Sequence, residues 1–549
     1  MTRVIHTEIT ATDAFAQRPW LQWALVLALG IALSGASAHA SGSEGATRPQ
    51  RAASRDGTLP VPLGAEAQNH AGTVQTPSHR RHRMLVLTDI EADPDDTQSL
   101  VRLLLYSNLI EIQGLVATTS VHMKDRVNPD SIRKVIEAYG KVQPSLLLHE
   151  PGFPTAENLL GLVTQGRPEY GMKDVGEGKD TPGSERIIEL LEADDERPLW
   201  ISVWGGPNTL AQALYRIRET RDAEEAIRLI RKLRVYTISD QDDSGTWMRR
   251  KFPNLFYIVS PGRYEKSIWI SINSVIEGID NTTISNDWLA RNIQQGHGPL
   301  GVAYPDVAWG MEGDTPAYLA LIPVGLAVPD RPDWGGWGGR YELYQPTPEE
   351  IEVGREVQGG IPIEAETRPI WANAVDTYVP RVDQEYGRTL RTGERELEGS
   401  KPTLWRWRDH FQHDFAARMD WCVSAYTDAN HPPVPSLAHP TQLTVQSGAR
   451  FTLDASGTTD PDGDSLVYLW TQYPEAGSGP TIDVGNSPEN VYFLTRVAPE
   501  VSKPETLHFI LQVSDRGSPP LTRYQRVIVT VEPNEDAGTP ADYPPGPPT

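Results

Sequence analysis

The chain is almost without cysteine. A single one, Cys422, in 549 residues excludes an intramolecular disulfide framework and a thiolate zinc cluster. Its setting, Met419-Asp420-Trp421-Cys422-Val423, reads as a small buried hydrophobe. Basic side chains are also scarce: 50 Lys and Arg face 73 Asp and Glu, for a formal net charge of -23. Phosphate backbones require basic surface, so nucleic acid is excluded as a partner. Long apolar runs are missing beyond the N-terminal region, and none reaches the ~20 residues of a membrane-spanning helix. A hydrophobic content of 38% nonetheless suits a folded chain of two or more domains.

What is present begins with an export pattern. Arg18 precedes the apolar run Trp20 to Leu33, followed by small residues and Ala38-His39-Ala40. That is a secretory signal with an A-x-A cleavage site. It predicts a signal peptide over 1–40, cleavage near Ala40, and a secreted or periplasmic mature protein. Residues 41–82 lack hydrophobic periodicity and predict a disordered linker.

From Met84 the text alternates between strand and helix. Met84 to Leu87 reads as a buried parallel strand, Thr97 to Ser107 as a helix, and Ile112 to Ala117 as a second strand, which makes a βαβ unit. Helix Pro129 to Tyr139, strand Ser145 to Leu148, helix Ser184 to Glu192, strand Leu199 to Trp204, helix Asn208 to Ile217 and strand Leu233 to Ile238 continue it. The class is α/β, a mostly parallel sheet with helices on both faces, whose ligands bind at the carboxyl ends of the strands. Helical spacing at Phe411, Phe415, Met419 and Cys422 extends this domain over 83–430. After a Pro-rich linker, short strands separated by Gly/Pro/Asp turns predict an immunoglobulin-like β-sandwich over 436–533, with a disordered tail over 534–549.

The first strand opens into Asp89-Ile90-Glu91-Ala92-Asp93-Pro94-Asp95-Asp96, with no Lys or Arg between Arg83 and Arg102. Helix capping by Asp93, with Pro94 in the first turn, accounts for Asp93, Asp95 and Asp96. It leaves Asp89 and Glu91 unexplained, whereas a bound cation accounts for all five acids. Oxygen ligands alone imply a hard ion, Ca²⁺ or Mg²⁺. Asp314, in Glu312-Gly313-Asp314-Thr315-Pro316-Ala317, is the best distant ligand, with helix capping as its bland alternative.

These residues resemble the nucleoside hydrolase superfamily, whose first strand opens into D-x-D-x-G-x-D-D. The same register here is Asp89, Glu91, Asp93, Asp95-Asp96. Gly205-Gly206-Pro207-Asn208-Thr209-Leu210-Ala211 and Asp314-Thr315-Pro316-Ala317 are similar to two further segments of that superfamily. A closer resemblance is to a family of exported bacterial proteins named as cellulose-binding, with a nucleoside-hydrolase-like domain and a β-sandwich C-terminal domain. It is carried by Ser99-Leu100-Val101-Arg102, Ala117-Thr118-Thr119-Ser120, Asp240-Gln241-Asp242-Asp243-Ser244-Gly245 and Gly335-Gly336-Trp337-Gly338-Gly339-Arg340.

The resemblance implies a metal-dependent hydrolase of an N-glycosyl or related glycosidic bond. The alternative is a non-catalytic carbohydrate-binding protein retaining the fold. Its partner would be a sugar-containing small molecule or a plant-type polysaccharide. By position, Glu91 and Asp96 would hold Ca²⁺ with Asp89, Asp314 and the Trp204 carbonyl. Glu91 would serve as general base, and Asp95 would act beside it on a sugar hydroxyl. Apart from the resemblance, placement at strand ends makes Asn208, Asp240, Asp242 and His122 candidates for substrate contact, with an ordinary polar loop as the alternative for Asp240 and Asp242. Trp337, in its Gly-rich loop, is a candidate for stacking on a sugar or for packing, and His122 or His297 is a candidate acid with a structural histidine as the alternative. The departures are Glu91 for an aspartate, Asp93 for a glycine, and Gly313 where many nucleoside hydrolases carry an acid histidine.

Overall fold

The computed structural model describes residues 81–277, 279–383, 389–391, 396–484 and 491–534. The expected signal peptide, nearly all of the linker and the tail beyond Asn534 lie outside the described residues. No described helix is long and apolar enough to cross a membrane.

β1 (His82–Thr88) is central to an eight-stranded sheet, and its side chains alternate between two cores. Met84 and Val86 enter one, and Leu85 and Leu87 the other, as the twofold period of a strand requires. β2 (Ile110–Ala117) flanks it on one side and β4 (Leu199–Val203) on the other, followed by β5 (Leu233–Thr237) and β6 (Phe256–Val259). The short β3 (Val163–Gln165) forms the far edge beyond β2. β7 (Tyr341–Tyr344) is antiparallel to β8 (Ile370–Asn373); the other pairings of this sheet are parallel. α1 (Asp95–Leu105) and α2 (Pro129–His149) cover the Met84 face, and α3 (Pro182–Glu192) and α4 (Asn208–Thr220) the Leu85 face.

Register decides where a ligand can sit. Thr88 pairs with Ala117, Leu87 with Val203, and Val203 with Thr237. The loops after β1, β2, β4 and β5 therefore leave the sheet side by side, one strand spacing (about 4.8 Å) apart.

Two sequence expectations need correction. Ser145 to Leu148 is not a strand but the last turn of α2, with Leu147 and Leu148 exposed. The apolar run simply continues a helix through Pro144, and the strand slot goes to Val163–Gln165, too short to give a period. Trp337 is not at a sugar site. It is 1% exposed, packs edge-on to Phe411 and Tyr524, and donates its Nε1–H to the Tyr524 hydroxyl at 3.2 Å. Trp334 packs edge-on to His508 of the C-terminal domain. A side chain at Gly335 would lie 2.6 Å from the Tyr473 hydroxyl. Gly335 thus leaves room for the C-terminal domain, whereas Gly336 and Gly338 let the loop press on Ala327 and Ala320 of its own domain.

That domain pairs strand Thr522–Glu532 with Glu505–Ser514 and Gln442–Gln446, and adds Val467–Gln472 at one edge. Arg450–Asp454 and Phe493–Val497 form a second, two-stranded sheet. Phe451 and Leu453 share one core with Trp470, Phe509 and Val529, so the two sheets face each other. In the turn Asp460-Pro461-Asp462-Gly463-Asp464, Asp460 accepts the N–H groups of Asp462 and Asp464, and Asp462 accepts from His431 in the linker. Phe411, Phe415 and Met419 lie on helix α6 (Arg408–Asp420, numbering α5 as Ser244–Lys251), and Cys422 just beyond it is buried, which pushes its thiol up.

Candidate metal centre

The loop after β1 does not follow the register that its letters suggest. Glu91, not Asp93, takes the left-handed turn (φ 79°), the conformation that β-carbon-bearing residues pay to adopt. Its exposed side chain thereby swings out to accept from the Ser131 hydroxyl at 2.6 Å. Asp93 comes in instead. Carboxylate oxygens of Asp93, Asp95 and Asp96 lie within 4.8 Å of one another. The metal and base roles drawn for Glu91 thus fall on a side chain that the structure turns away, while Asp93, the residue in the glycine position, joins the group.

Around this group the acids are buried. Asp89 and Asp96 are 3% exposed and Asp314 is 2% exposed. Asp89 is let in by Gly205, where a β-carbon would lie 2.6 Å from the carboxylate. Thr88 donates its hydroxyl to Asp96, and Asp93 accepts the Asp95 N–H at 3.1 Å. Asp314 Oδ2 is buried with no protein partner. Burial first, then the neighbouring carboxylates, push Asp95, Asp96 and Asp314 well above the ordinary range. Asp89 is raised mainly by burial, partly offset by a hydrogen bond from Ser120. Buried together, these carboxylates repel one another, and a positive charge among them would relieve that repulsion. The oxygen-only donor set and the unpartnered Asp314 oxygen fit a hard divalent cation.

Asp314 reaches the cluster because Glu312 is clamped. Glu312 has φ 50° and accepts from Arg102 at 2.5 and 3.0 Å, from Tyr304 at 2.8 Å and from Thr315 at 2.9 Å. Its own N–H donates to Gln98 at 2.9 Å. Both members of the Arg102–Glu312 pair are fully buried, and removing one partner of such a pair costs about 3–5 kcal/mol. Arg102→Ala is therefore expected to lower unfolding stability by about that amount in urea titration; a change under ~1 kcal/mol would show that the clamp is not needed.

The remaining sequence candidates separate clearly. Asp242 is buried beside Gly206 and held by the Ser244 N–H and hydroxyl, with Oδ2 free of protein partners; burial pushes it up to about 7. Asn208 donates to Thr119 and to the Glu169 carbonyl, leaving its Oδ1 unpartnered. The exposed His122 lies at the rim, 3.3 Å from the Tyr264 hydroxyl and close enough to Asp89 to lower its pKa. The Trp204 carbonyl accepts from Gln241 at 2.5 Å, so a cation would have to share it. Asp240 is a correction. It is spent on the buried Arg249, at 2.8 Å through both oxygens, together with Glu366. His297 is likewise bound to Asp420 at 3.0 Å, away from the acids.

Sequence reading had no signal for the aromatic wall. A side chain at Gly313 would meet Asp95 Oδ2 at 2.6 Å and the Trp269 ring at 3.1 Å, so this position has no room for a histidine. Trp269 packs edge-on to Tyr264, in a segment without periodicity.

Residues 83–341 match the family described as cellulose-binding Sde182, nucleoside hydrolase-like domain, and 450–531 match the C-terminal domain of cellulose-binding protein Sde0182. A solved nucleoside hydrolase-related hypothetical protein from Saccharophagus degradans, associated with carbohydrate metabolism, is 34% identical with a TM-score of 0.67. The match covers 82% of this chain and 100% of that one. The chain belongs to the cellulose-binding Sde182 family. Its nucleoside-hydrolase-like α/β fold and its sheet-rich C-terminal region agree with the sequence expectation. No curated protein matches it. Within this Sde182 member, the acidic loop keeps the charge of a nucleoside hydrolase loop but redistributes it, with Asp93 facing in and Glu91 facing out.

Proposed function

We propose that this chain is a cation-dependent hydrolase of a glycosidic bond in a polysaccharide-derived sugar. The observation that carries the reading is Asp314, whose unpartnered, buried oxygen is brought from a distant loop to the acids after β1. Asp89, Asp95, Asp96 and Asp314 would hold the ion, and the Trp204 carbonyl would join them while shared with Gln241. Bound there, Ca²⁺ or Mg²⁺ would supply positive charge that orients sugar hydroxyls and favours water ionisation.

The chain's own groups then divide the remaining work. Asp93, half-buried at the edge of the group, takes the general-base role. Asn208 Oδ1 and Asp242 Oδ2 are acceptors for sugar hydroxyls. With its carboxyl pushed up to about 7, Asp242 carries a proton for part of the time at neutral pH and can also donate. Trp269 and Tyr264 offer apolar surface to a sugar ring.

The second reading, a non-catalytic carbohydrate binder, is favoured by Gly313. The space of the nucleoside hydrolase acid is filled by Asp95 and Trp269. Sugar release from cello-oligosaccharides and from nucleosides, measured with Ca²⁺ and with EDTA, separates the two. Release that EDTA abolishes supports the hydrolase; retention on cellulose with no release from either substrate set selects the binder.

A further inference from the structure

We infer that Trp309 is a stacking platform for a β-linked glucan chain beside the metal centre, an inference that rests on the polysaccharide reading above. Trp309 is 91% exposed, an unfavourable place for the largest aromatic side chain. It also sits at φ 62°, where a bulky residue is a true outlier. Two costs meet at one residue, and strain of this kind is kept where the surrounding structure enforces it.

The enforcement is visible. Ala308 and Gly310 bridge across Trp309, with the Gly310 N–H on the Ala308 carbonyl at 2.6 Å. Gln98 donates to the Pro305 carbonyl at 3.1 Å before the turn. Asn273 donates to the Met311 carbonyl at 3.1 Å after it. Gly310 leaves that contact undisturbed, since a β-carbon there would lie 2.5 Å from Asn273 Nδ2. The indole is thus held out by a pinned loop, so little ordering remains to be done when a ligand arrives.

The same loop runs straight into Glu312-Gly313-Asp314. Trp309 and Asp314 are five positions apart, so the platform lies at most ~18 Å along the chain from the cluster. Trp269 already walls the inner side at Gly313. A sugar ring has an apolar C–H face that matches a flat indole and hydroxyl edges that stay in water, which suits a solvent-exposed tryptophan. A glucan chain with one unit at the acids can lay a further unit on Trp309.

The test uses the full chain, with microcrystalline cellulose in pull-down and cellohexaose in calorimetry. Trp309→Ala should lower affinity for both by roughly tenfold or more, as loss of a binding anchor does. Trp309→Phe should restore most of it. Thermal unfolding should not move, since the side chain is exposed. Undiminished binding by Trp309→Ala would overturn the platform while leaving the polysaccharide reading intact. Failure of the unsubstituted protein to bind either glucan would overturn both. Concentration-dependent self-association lost in Trp309→Ala, with glucan binding unchanged, would reassign the residue to contact between copies.

Discussion

Asp314→Asn is expected to abolish the thermal stabilisation that Ca²⁺ or Mg²⁺ gives the native protein. At about 100 times its dissociation constant, a ligand of the folded state alone adds about 2.7 kcal/mol. At ~2 °C per kcal/mol for a large chain, that is a rise of roughly 5 °C. The variant should show no rise, because the cage would lose the negative charge of the carboxylate whose Oδ2 is buried without a protein partner. A second sign distinguishes this from simple damage. The folded-state pKa of Asp314 is raised well above 3.8 by burial and by Asp95, Asp96, Asp89 and Asp93, so the ionised group destabilises the cation-free fold at neutral pH. In EDTA at neutral pH the variant should therefore unfold at or above the temperature of the unsubstituted protein. Scanning fluorimetry with and without cation measures both quantities. A full cation response in Asp314→Asn would remove Asp314 from the site.

Asp93→Asn is expected to cost the hydrolase about 10²–10⁴-fold in turnover, the usual worth of a positioned general base. Glu91→Gln should stay within about twofold, as surface substitutions do. The contrast follows from the loop turn. Glu91 bonds Ser131 in the solvent-facing direction, and Asp93 shares the group with Asp95 and Asp96. Rates of sugar release under saturating Ca²⁺ decide it. The opposite ranking, with Glu91→Gln inactive and Asp93→Asn active, would restore the positional assignment and require the loop to rearrange on binding.

Much of this was legible in the letters alone. Met84 to Leu87 announces a strand buried on both faces, and five acids after it announce a charge that the helix end cannot absorb. Asp314 was recognisable because Asp-x-Pro precedes an apolar run. Other features were not legible for definite reasons. Asp240 and Asp242 stand two apart in one polar loop, yet Arg249 from the following helix claims the first and leaves an oxygen of the second unpartnered. Trp337 looks like a sugar-facing residue until the C-terminal domain supplies Tyr524.

The acid-rich loop, the alternating strands and helices, the lack of cysteine chemistry and the family resemblance were determined by sequence, because each depends on local order or composition. Which acids share a site was decided only by tertiary structure. A left-handed turn at one residue, Glu91, reverses which carboxylate faces inward. The Arg102–Glu312 clamp, joining residues far apart in the chain, sets where Asp314 comes to rest.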